Sequence, residues 1–287
     1  MPLKGILVIG SLHYDIFLNS PNLPTIGETV HGNKWYPKLG GKGGNQAIAV
    51  ASNSVSVKLI SAVGKDNFAN YIIRNLEKVN IDTEYIQRLE AYDSGMSVAI
   101  SNSQGDYGAV IVSGANQNIN VDVIGNNDVW MNVGILMLQN EIDENTNILA
   151  AKKAKKYGVK VFYNAAPAKK INLNLYKLVD ILLVNKVEAQ DISKQKIETL
   201  KDIKKVSKKL SKYIPTVIIS AGEQGAVLCE NNNDPIHFKG LKVKVKSTHG
   251  AGDTFAGTLC TSLILGKNIE EAIKIANLKA AEFISAI

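Results

Sequence analysis

The sequence predicts an α/β protein built on a mainly parallel sheet that is covered by helices on both faces. Three observations support this class. Short apolar runs, which are typical of buried parallel strands, alternate along the chain with longer segments of helical periodicity. Polar residues follow the ends of several of these apolar runs. The 287 residues, with 45% apolar and 21% charged content, suit a soluble globular enzyme of one large domain or two smaller ones.

Charge and cysteine content argue against several classes of protein. The formal net charge of +7 includes lysines in residues 201–212 and 239–246, where helix or strand faces would meet water. Because Tyr213 is the one aromatic residue beside the first lysine run, we expect a solvated surface and no nucleic-acid groove. Cys229 and Cys260 lack the spacing of a zinc site or a disulfide framework, which fits the cytoplasm. The apolar runs are too short for a secretory leader or a membrane span.

The first strand is expected at residues 6–9, an apolar run followed by glycine and serine. Ligands of open α/β sheets bind at the carboxyl ends of the strands, and His13 and Asp15 lie just beyond this one. Asp15 is therefore a candidate acceptor for a ligand hydroxyl. An aspartate that caps a turn is an equally good explanation.

A glycine-rich run over residues 40–46 opens a helix that we expect over residues 47–52. The glycines would let the backbone come close to a flexible polar ligand such as a sugar, with Lys42 and Asn45 as donors. The run is not a phosphate-binding P-loop, because Gly43 follows the lysine and the required spacing is missing. A glycine-rich helix start packed against a neighbour is the alternative.

A second sheet strand is predicted at residues 57–63 and an amphipathic helix at residues 67–79. The core residues of this helix would be Phe68, Ile72, Leu76 and Val79. Residues 96–101 and 107–112 are predicted to form an antiparallel hairpin, because a short polar loop with glycine joins two β-rich runs. A hairpin that interrupts the βα alternation is typical of a lid or an added sheet.

The alternation then resumes and continues almost to the C-terminal quarter of the chain. Strands are predicted at 135–138, 159–163, 179–184 and 215–219, and helices at 143–157 and 197–213. Polar groups follow the strands: Gln139 to Glu141, Asn164, Asn185 with Glu188, and Ser220 to Gly225. Together they predict a rim of ligands along one edge of the sheet. Asn185 and Glu188, three residues apart at a helix start, could hold the waters of a hydrated magnesium ion or could form a capping pair.

The stretch 248–257 contains two small-residue turns before an amphipathic helix that we expect over residues 255–265. Gly250 and Gly252 leave room for a ligand near the backbone, and the start of the following helix offers free N–H groups and a positive dipole end. This pattern indicates an anion site. Asp253 would there accept a proton, or cap the helix, or do both.

Seven stretches, taken together and in order, resemble the ribokinase branch of the PfkB-type sugar kinases. They cover almost the whole chain: residues 10–11 with Asp15, residues 24–30, residues 40–47, residues 138–139 with Glu141, Asn164 with residues 166–168, Asn185 with Glu188, and residues 250–255. The resemblance implies a single ribokinase-like domain over residues 1–287. It has a Rossmann-like, mainly parallel central sheet and a small β-sheet lid, formed from about residues 12–38 and 94–113.

The resemblance also implies an ATP-dependent phosphorylation of a sugar's primary hydroxyl, with D-ribose as the expected pentose and ribose 5-phosphate as the product. Asp253 takes the position of the catalytic base, and Gly250, Ala251 and Gly252 take that of the anion hole. The residues that match sugar-site positions are His13, Asp15, Gly41, Lys42, Asn45 and Glu141, together with Asp253. The residues that match nucleotide positions are Asn185, Ser220, Gly222, Gly225, Gly252 and Asn277, and Glu188 and Asn185 match the magnesium positions.

Three departures from the family pattern bear on the substrate and on activation. His13 stands where ribokinases usually carry asparagine, and Tyr14 beside it is bulky, so a sugar is implied more firmly than ribose itself. Ser247 replaces an aspartate that the family ties to monovalent-cation binding, and the chain ends at Ile287, before the segment that normally completes that loop. We therefore do not expect activation by potassium.

Other functions stay open at this point. A nucleoside or pseudouridine kinase could use the same machinery if the pocket beyond His13 and Tyr14 is wide enough to accept a base. A catalytically silent sugar-binding or regulatory protein could share the fold, although the presence of Asp253 and Glu188 argues against it. A dehydrogenase would need G-x-G-x-x-G after the first strand, and the sequence lacks it there. If the outer face of the lid hairpin is apolar, two lids could pair into a homodimer.

Overall fold

The computed structural model describes residues 4–102, 104, 107–170, 172–246 and 248–286. Its strands are β1 (Gly5–Ile9), β2 (His13–Asn19), β3 (Lys34–Gly40), β4 (Val57–Gly64), β5 (Ile86–Leu89), β6 (Gly95–Ser101), β7 (Tyr107–Val112), β8 (Val133–Gln139), β9 (Lys160–Asn164), β10 (Ile181–Asn185), β11 (Thr216–Ser220), β12 (Ala226–Glu230) and β13 (Ile236–Phe238). Its helices are α1 (Lys42–Ala51), α2 (Asn67–Glu77), α3 (Asp122–Gly125), α4 (Asn127–Trp130), α5 (Glu144–Lys156), α6 (Leu173–Tyr176), α7 (Lys186–Ser193), α8 (Leu200–Leu210), α9 (Ala251–Ile264) and α10 (Ile269–Ala286).

The larger sheet is mainly parallel, as the sequence predicts. Within the described residues it has nine strands in the order β13-β12-β11-β10-β9-β8-β1-β4-β5. Every neighbouring pair from β11 through to β5 is parallel, and β12 and β13 are antiparallel additions at one edge. The parallel order brings the carboxyl ends of β8, β9, β10 and β11 to one edge of the sheet.

Both faces of this sheet are buried. Leu7 and Ile9 of β1 belong to one apolar layer, whereas Ile6 and Val8 belong to the other. Helices α5, α7 and α8 pack on the first layer, and α1, α2, α9 and α10 pack on the second. Side chains of opposite parity along a strand point to opposite faces, so a continuous apolar strand needs helices on both sides. Among the described helices, none combines the length and the apolar character needed to span a membrane.

The smaller sheet has four described strands in the order β3-β2-β6-β7. Strands β2 and β6 are parallel, and the outer pairs β2 with β3 and β6 with β7 are antiparallel. The predicted hairpin is therefore correct, although residues 103, 105 and 106 of its loop lie outside the described residues. His13 and Asp15 are part of β2 in this sheet. The interpretation of Asp15 as a turn cap is wrong, because the strand continues through it to Asn19.

Two helices begin earlier than predicted. Helix α1 begins at Lys42, and the residue before it, Gly41, has a φ angle of 83°. Helix α9 begins at Ala251, and its N-cap, Gly250, has a φ angle of 86°. A positive φ angle lets the chain reverse within a single glycine, so the helix can start at the next residue.

Two predictions about helix surfaces are wrong. Helix α9 is not amphipathic, because it packs between α1, α10 and the larger sheet and is buried along most of its length. Val79 is not a core residue: α2 ends at Glu77, and Val79 is 37% exposed. Of the other predicted core residues of α2, Ile72 and Leu76 are buried, and Phe68 is half-buried with its ring stacked on that of Tyr14.

Candidate active site

A cavity of about 430 Å³ lies between the smaller sheet and the carboxyl ends of the parallel strands. Its walls contain all the residues that the sequence predicts for a sugar site: His13, Asp15, Gly41, Lys42, Asn45, Glu141 and Asp253. Asn164, Asn185 and Ser220, at the ends of three neighbouring strands, line the same cavity. The polar strand ends and the glycine-rich turns therefore meet in one place.

Asp253 lies in the first turn of α9 and is 6% exposed. Its Oδ1 accepts a hydrogen bond of 3.0 Å from Gln46 Nε2, and its Oδ2 accepts one of 3.3 Å from Asn45 Nδ2. The N-cap of α9 is Gly250, which has no capping side chain. The alternative interpretation of Asp253 as a helix cap is therefore wrong, and its carboxylate is instead held at the cavity wall by two amides from α1.

The environment of Asp253 favours the protonated form of its carboxyl group. Burial raises the pKa of Asp253 above its ordinary value, against the lowering effects of the Lys42 ammonium and of the amide donors of Gln46 and Asn45. A carboxyl group with a raised pKa is a stronger base when ionised. Such a group can take a proton from an alcohol more readily than an exposed aspartate.

The amide of Gly252 is a free donor beside this carboxylate. The Ala251 N–H donates to Thr248 O at 3.2 Å, whereas the Gly252 N–H makes no hydrogen bond within the described residues. No other group comes within 4 Å of the place where a Cβ of Gly252 would stand, so the backbone is open to a ligand there. The predicted anion turn stays a prediction, and Gly252 offers it an available amide at the positive end of α9.

Lys42 is the central positive charge of the cavity. Burial disfavours its ammonium, but three carboxylates outweigh that effect and raise its pKa above the ordinary value. These carboxylates are Asp253, Glu141 and Glu188. Glu141 also fixes the start of α1, since its Oε2 accepts hydrogen bonds from the Lys42 backbone N–H at 2.7 Å and from the Ser11 hydroxyl. The glycine before Lys42 is required, because a Cβ on Gly41 would lie 2.7 Å from Ser11 O.

The smaller sheet contributes His13 and Asp15, which lie on the same face of β2 and are both buried. His13 pairs across strands with Gly40 and Gly95, so its imidazole lies between two residues without side chains. The His13 Nε2 has no hydrogen-bond partner in the described structure. Asp15 accepts a hydrogen bond from Ser97 of β6, which lies in the predicted hairpin but was not a predicted site residue.

A second cavity, of about 710 Å³, adjoins the first and shares Ser220, Thr248 and Gly252 with it. Most of the predicted nucleotide-site residues line it: Ser220, Gly222, Gly225, Gly252 and Asn277. Leu241, Val243 and Ile284 give it an apolar side. The exception is Asn185, which lines the first cavity and not the second. Gly252, at the start of α9, therefore stands at the junction of a polar cavity and a more apolar one.

Asn185 and Glu188 form a capping box at the start of α7. The Asn185 Oδ1 accepts from the Glu188 N–H at 2.8 Å, and the Glu188 Oε2 accepts from the Asn185 N–H at 2.8 Å. The capping interpretation is therefore correct as local structure. Glu188 nonetheless lines the first cavity, and burial raises its pKa, against the lowering effects of the Asn185 hydrogen bond and of Lys42.

The donor set near Glu188 suits one kind of metal site. Among the residues that the structure describes, no three acidic, histidine or cysteine side chains come together as a metal cage. Magnesium, however, commonly keeps its waters and takes only one or two carboxylates together with substrate phosphates. Glu188 has one carboxylate oxygen outside the capping box, and this oxygen could bind a magnesium ion through water. The site does not suit a metal that needs several side chains as direct ligands.

Sequence reasoning missed the buried network behind Asp253. Gln46 accepts a hydrogen bond from Gln139 Nε2 at 2.8 Å and donates to Asn164 Oδ1 at 3.1 Å as well as to Asp253. A prediction that the helix starts at Lys42 would have pointed to Gln46, because Gln46 lies one turn after Lys42 on the same face of the helix. Ser247, the position tied to monovalent cations, lies outside the described residues.

The chain is similar to known sugar kinases along nearly its whole length. The model of the pfkB family carbohydrate kinases matches residues 3–286. A ribokinase of Staphylococcus aureus is 32% identical over 276 residues, which cover 95% of this chain and 90% of that protein. A deoxyribokinase of Salmonella typhi is 29% identical over 279 residues, which cover 96% and 91%. The structure of Arabidopsis thaliana ribokinase complexed with ribose and ATP matches with a TM-score of 0.90 at 28% identity, covering 98% of this chain and 92% of that one.

Proposed function

Because this chain belongs to the pfkB family of carbohydrate kinases, we propose that it transfers the γ-phosphate of ATP to the primary hydroxyl of D-ribose and forms ribose 5-phosphate. The observation that carries the proposal is the position of Asp253, whose buried carboxylate lies one residue from the free Gly252 amide at the junction of the two cavities. The ribokinase of Staphylococcus aureus and the ribose-bound structure from Arabidopsis thaliana support ribose as the acceptor.

The first cavity binds the sugar in this proposal. Asp15, Glu141 and Asn45 offer oxygen and amide groups for the hydroxyls, and Lys42 supplies a charged donor. Hydrogen bonds at several hydroxyls orient the ring, so that the primary hydroxyl points to Asp253. Fixing the reacting oxygen in this way supplies a large part of the rate acceleration, because phosphoryl transfer depends mostly on alignment and charge stabilisation.

Asp253 then acts as the general base. Its carboxylate accepts the proton of the primary hydroxyl while the hydroxyl oxygen forms a bond to the γ-phosphorus. The bond between that phosphorus and the oxygen bridging to the β-phosphate breaks, and ADP leaves with the bonding electrons. The Gly252 amide and the positive end of α9 stabilise the negative charge on the moving phosphoryl group.

ATP occupies the second cavity, with Ser220, Gly222, Gly225 and Asn277 around it and its terminal phosphate at Gly252. Glu188 and Asn185 hold magnesium through water in this proposal. A bound magnesium ion would neutralise phosphate charge. Asn185 lines the first cavity and not the second, so we assign it to the metal side of the site.

The smaller sheet is the lid over the sugar, within a single domain that spans residues 1–287. Strands β2 and β3 come from residues 12–38 and slightly beyond, and β6 and β7 come from residues 94–113. His13, Asp15 and Ser97 project from this sheet into the cavity wall, which supports the assignment. Closure of such a sheet would exclude water from the reacting phosphate.

A screen of ADP release tests the proposal. The purified protein is given MgATP with D-ribose, other pentoses, hexoses and nucleosides in turn, and Asp253→Asn protein serves as the blank. ADP release with D-ribose well above the blank is the expected result. Faster release with a nucleoside would support a nucleoside or pseudouridine kinase instead. No release with any acceptor, together with ribose binding by calorimetry, would mean a silent sugar-binding protein.

A further inference from the structure

Ser97 is a polar residue in the wall of the first cavity. It lies in β6 directly opposite Asp15 of β2, and its hydroxyl donates a hydrogen bond of 2.5 Å to Asp15 Oδ1. Both residues line the first cavity. A hydroxyl has one proton to donate, so the proton of Ser97 is committed to Asp15. The lone pairs of Ser97 are left as acceptors.

One oxygen of the Asp15 carboxylate accepts a hydrogen bond, and the other does not. Its Oδ1 is bound by Ser97, whereas its Oδ2 lies over Gly40 of β3, where any Cβ would collide with it. Within the described part of the chain, Oδ2 accepts no hydrogen bond. Asp15 is only 5% exposed and lines the cavity, so a ligand there can reach that oxygen. A bound sugar would displace water from this oxygen, so one of its hydroxyls must replace the lost hydrogen bond.

We propose that Ser97 and Asp15 together bind two adjacent hydroxyls of the acceptor sugar. One hydroxyl donates a hydrogen bond to Asp15 Oδ2, and the next donates one to Ser97 Oγ. Ser97 is then the residue that separates pentoses with a vicinal diol from 2-deoxy pentoses. A 2-deoxy sugar supplies only one of the two donors and leaves a polar group of the cavity unpaired. Sites that hydrogen-bond a substrate hydroxyl reject analogues that lack it. This inference rests on the proposed sugar kinase function and narrows its substrate class.

Overall similarity does not choose between these two sugars. The ribokinase and the deoxyribokinase among the relatives are 32% and 29% identical to this chain, which is nearly the same. The choice must therefore come from a few residues in the cavity. Ser97 is suited to it because its hydroxyl bonds the sugar-facing aspartate and not the backbone of the sheet.

Ser101 provides a matched control on the same strand. It is four residues further along β6, and its hydroxyl donates to the backbone oxygen of Leu18 at 3.3 Å. It does not line the cavity. Ser101→Ala removes the same atoms from the same sheet and leaves the sugar site untouched.

The test compares D-ribose with 2-deoxy-D-ribose for the wild type, Ser97→Ala, Ser97→Thr and Ser101→Ala. Both initial rates and binding by calorimetry are measured. For Ser97→Ala we expect the KM and the Kd for ribose to rise about fivefold, because the bond lost to the sugar is one hydrogen bond between uncharged hydroxyl groups. The kcat and the KM for ATP should stay within about twofold. The constants for 2-deoxyribose should change much less, so that the selectivity for ribose falls, and Ser97→Thr should restore part of it.

The outcomes separate this inference from the proposed function. Unchanged ribose binding by Ser97→Ala, or an equal loss for both sugars, would overturn the role of Ser97 as a selective residue even if the protein phosphorylates ribose. Selective loss of ribose binding would support it even if no ADP is released. If ribose binding is selectively lost and no ADP is released by any variant, the kinase proposal fails but the role of Ser97 in sugar selectivity is supported.

Discussion

Gln46 of α1 donates a hydrogen bond of 3.0 Å to Asp253 of α9, although the two residues lie 207 positions apart in the chain. Both are buried. The same Nε2 of Gln46 also donates to Asn164 at the end of β9, and its Oε1 accepts from Gln139 at the end of β8. Gln46 therefore cannot turn away without breaking further buried hydrogen bonds. It fixes the direction of the Asp253 carboxylate relative to the larger sheet.

The first prediction concerns the proton acceptor. Asp253→Asn keeps the size of the side chain but cannot take a proton from an alcohol. We expect turnover to fall about 10²- to 10⁴-fold or more, which is the usual contribution of general-base catalysis. ADP release at saturating ribose and MgATP measures it, and circular dichroism shows whether the variant is folded. Near-normal turnover by a folded variant would exclude Asp253 as the base.

The Asp253→Asn substitution should also change how the melting temperature depends on pH. The folded-state pKa of Asp253 is raised, so its stabilising contribution is complete below its unfolded pKa of about 3.9 and is lost as the pH rises through the folded value. Asparagine does not titrate. The melting temperature of Asp253→Asn minus that of the wild type should therefore become more positive as the pH rises above about 4. A difference that is constant or falls with pH contradicts the raised pKa.

Gln46 predicts a shift of the pH-rate profile. Its amide lowers the pKa of Asp253, so Gln46→Met should raise that pKa further and move the acid limb of kcat to higher pH. The variant should also melt at a lower temperature, because Gln139 and Asn164 each lose a buried partner. Rates measured across pH give the shift. Ser52→Ala, at the exposed end of the same helix, is the control and should change neither property. An acid limb at the wild-type position would show that Gln46 is structural only.

These residues show what the sequence could and could not predict. The polar strand ends met as expected, because parallel strands place their carboxyl ends at one edge whatever the details of packing. The contact of Ser97 with Asp15 depends on the register between β2 and β6, which are distant in the chain, and no local pattern carries that information. The burial of α9 likewise comes from its packing between α1 and α10. The small-residue turn before a helix made Asp253 a candidate proton acceptor, whereas the side chains that hold it required the structure.

Replacement of Glu188 should specifically weaken the binding of magnesium. Glu188→Gln keeps an oxygen for the Asn185 N–H, so the capping box survives and the melting temperature should change little. The charge that would attract a hydrated magnesium ion is lost, so the concentration of magnesium needed for half-maximal rate should rise about tenfold or more. Asp202→Asn alters the exposed capping box of α8 and is the matched control. Equal magnesium requirements for the wild type and Glu188→Gln would remove Glu188 from the metal site.

Potassium should have little effect on the rate. Ser247 stands where the family pattern has an aspartate tied to the monovalent cation, and a neutral hydroxyl attracts such a cation far more weakly than a carboxylate. Initial rates in a potassium buffer and in a bulky organic-cation buffer of equal ionic strength provide the measurement. A several-fold stimulation by potassium would contradict this expectation.

The apolar outer face of the lid predicts that the protein forms a homodimer. By strand parity, the face of the smaller sheet opposite Asp15 carries Ile16, Leu18, Val98, Ile100 and Val110, and β7 forms one of its edges. Val110 is 69% exposed and Trp35 of β3 is 61% exposed. An apolar face beside an unpaired strand edge favours association, and a second copy of the same sheet offers a complementary surface. We therefore expect two lids to pair.

Val110→Asp tests the pairing, because a carboxylate on this face would be buried without a partner in the dimer. Light scattering should give the mass of a dimer for the wild type and of a monomer for the variant. Leu173→Asp is the matched control: Leu173 is 67% exposed but lies in α6, away from the lid, so its replacement should leave the mass unchanged. A monomeric wild type at working concentration, or dissociation by both variants alike, would rule out pairing through the lid.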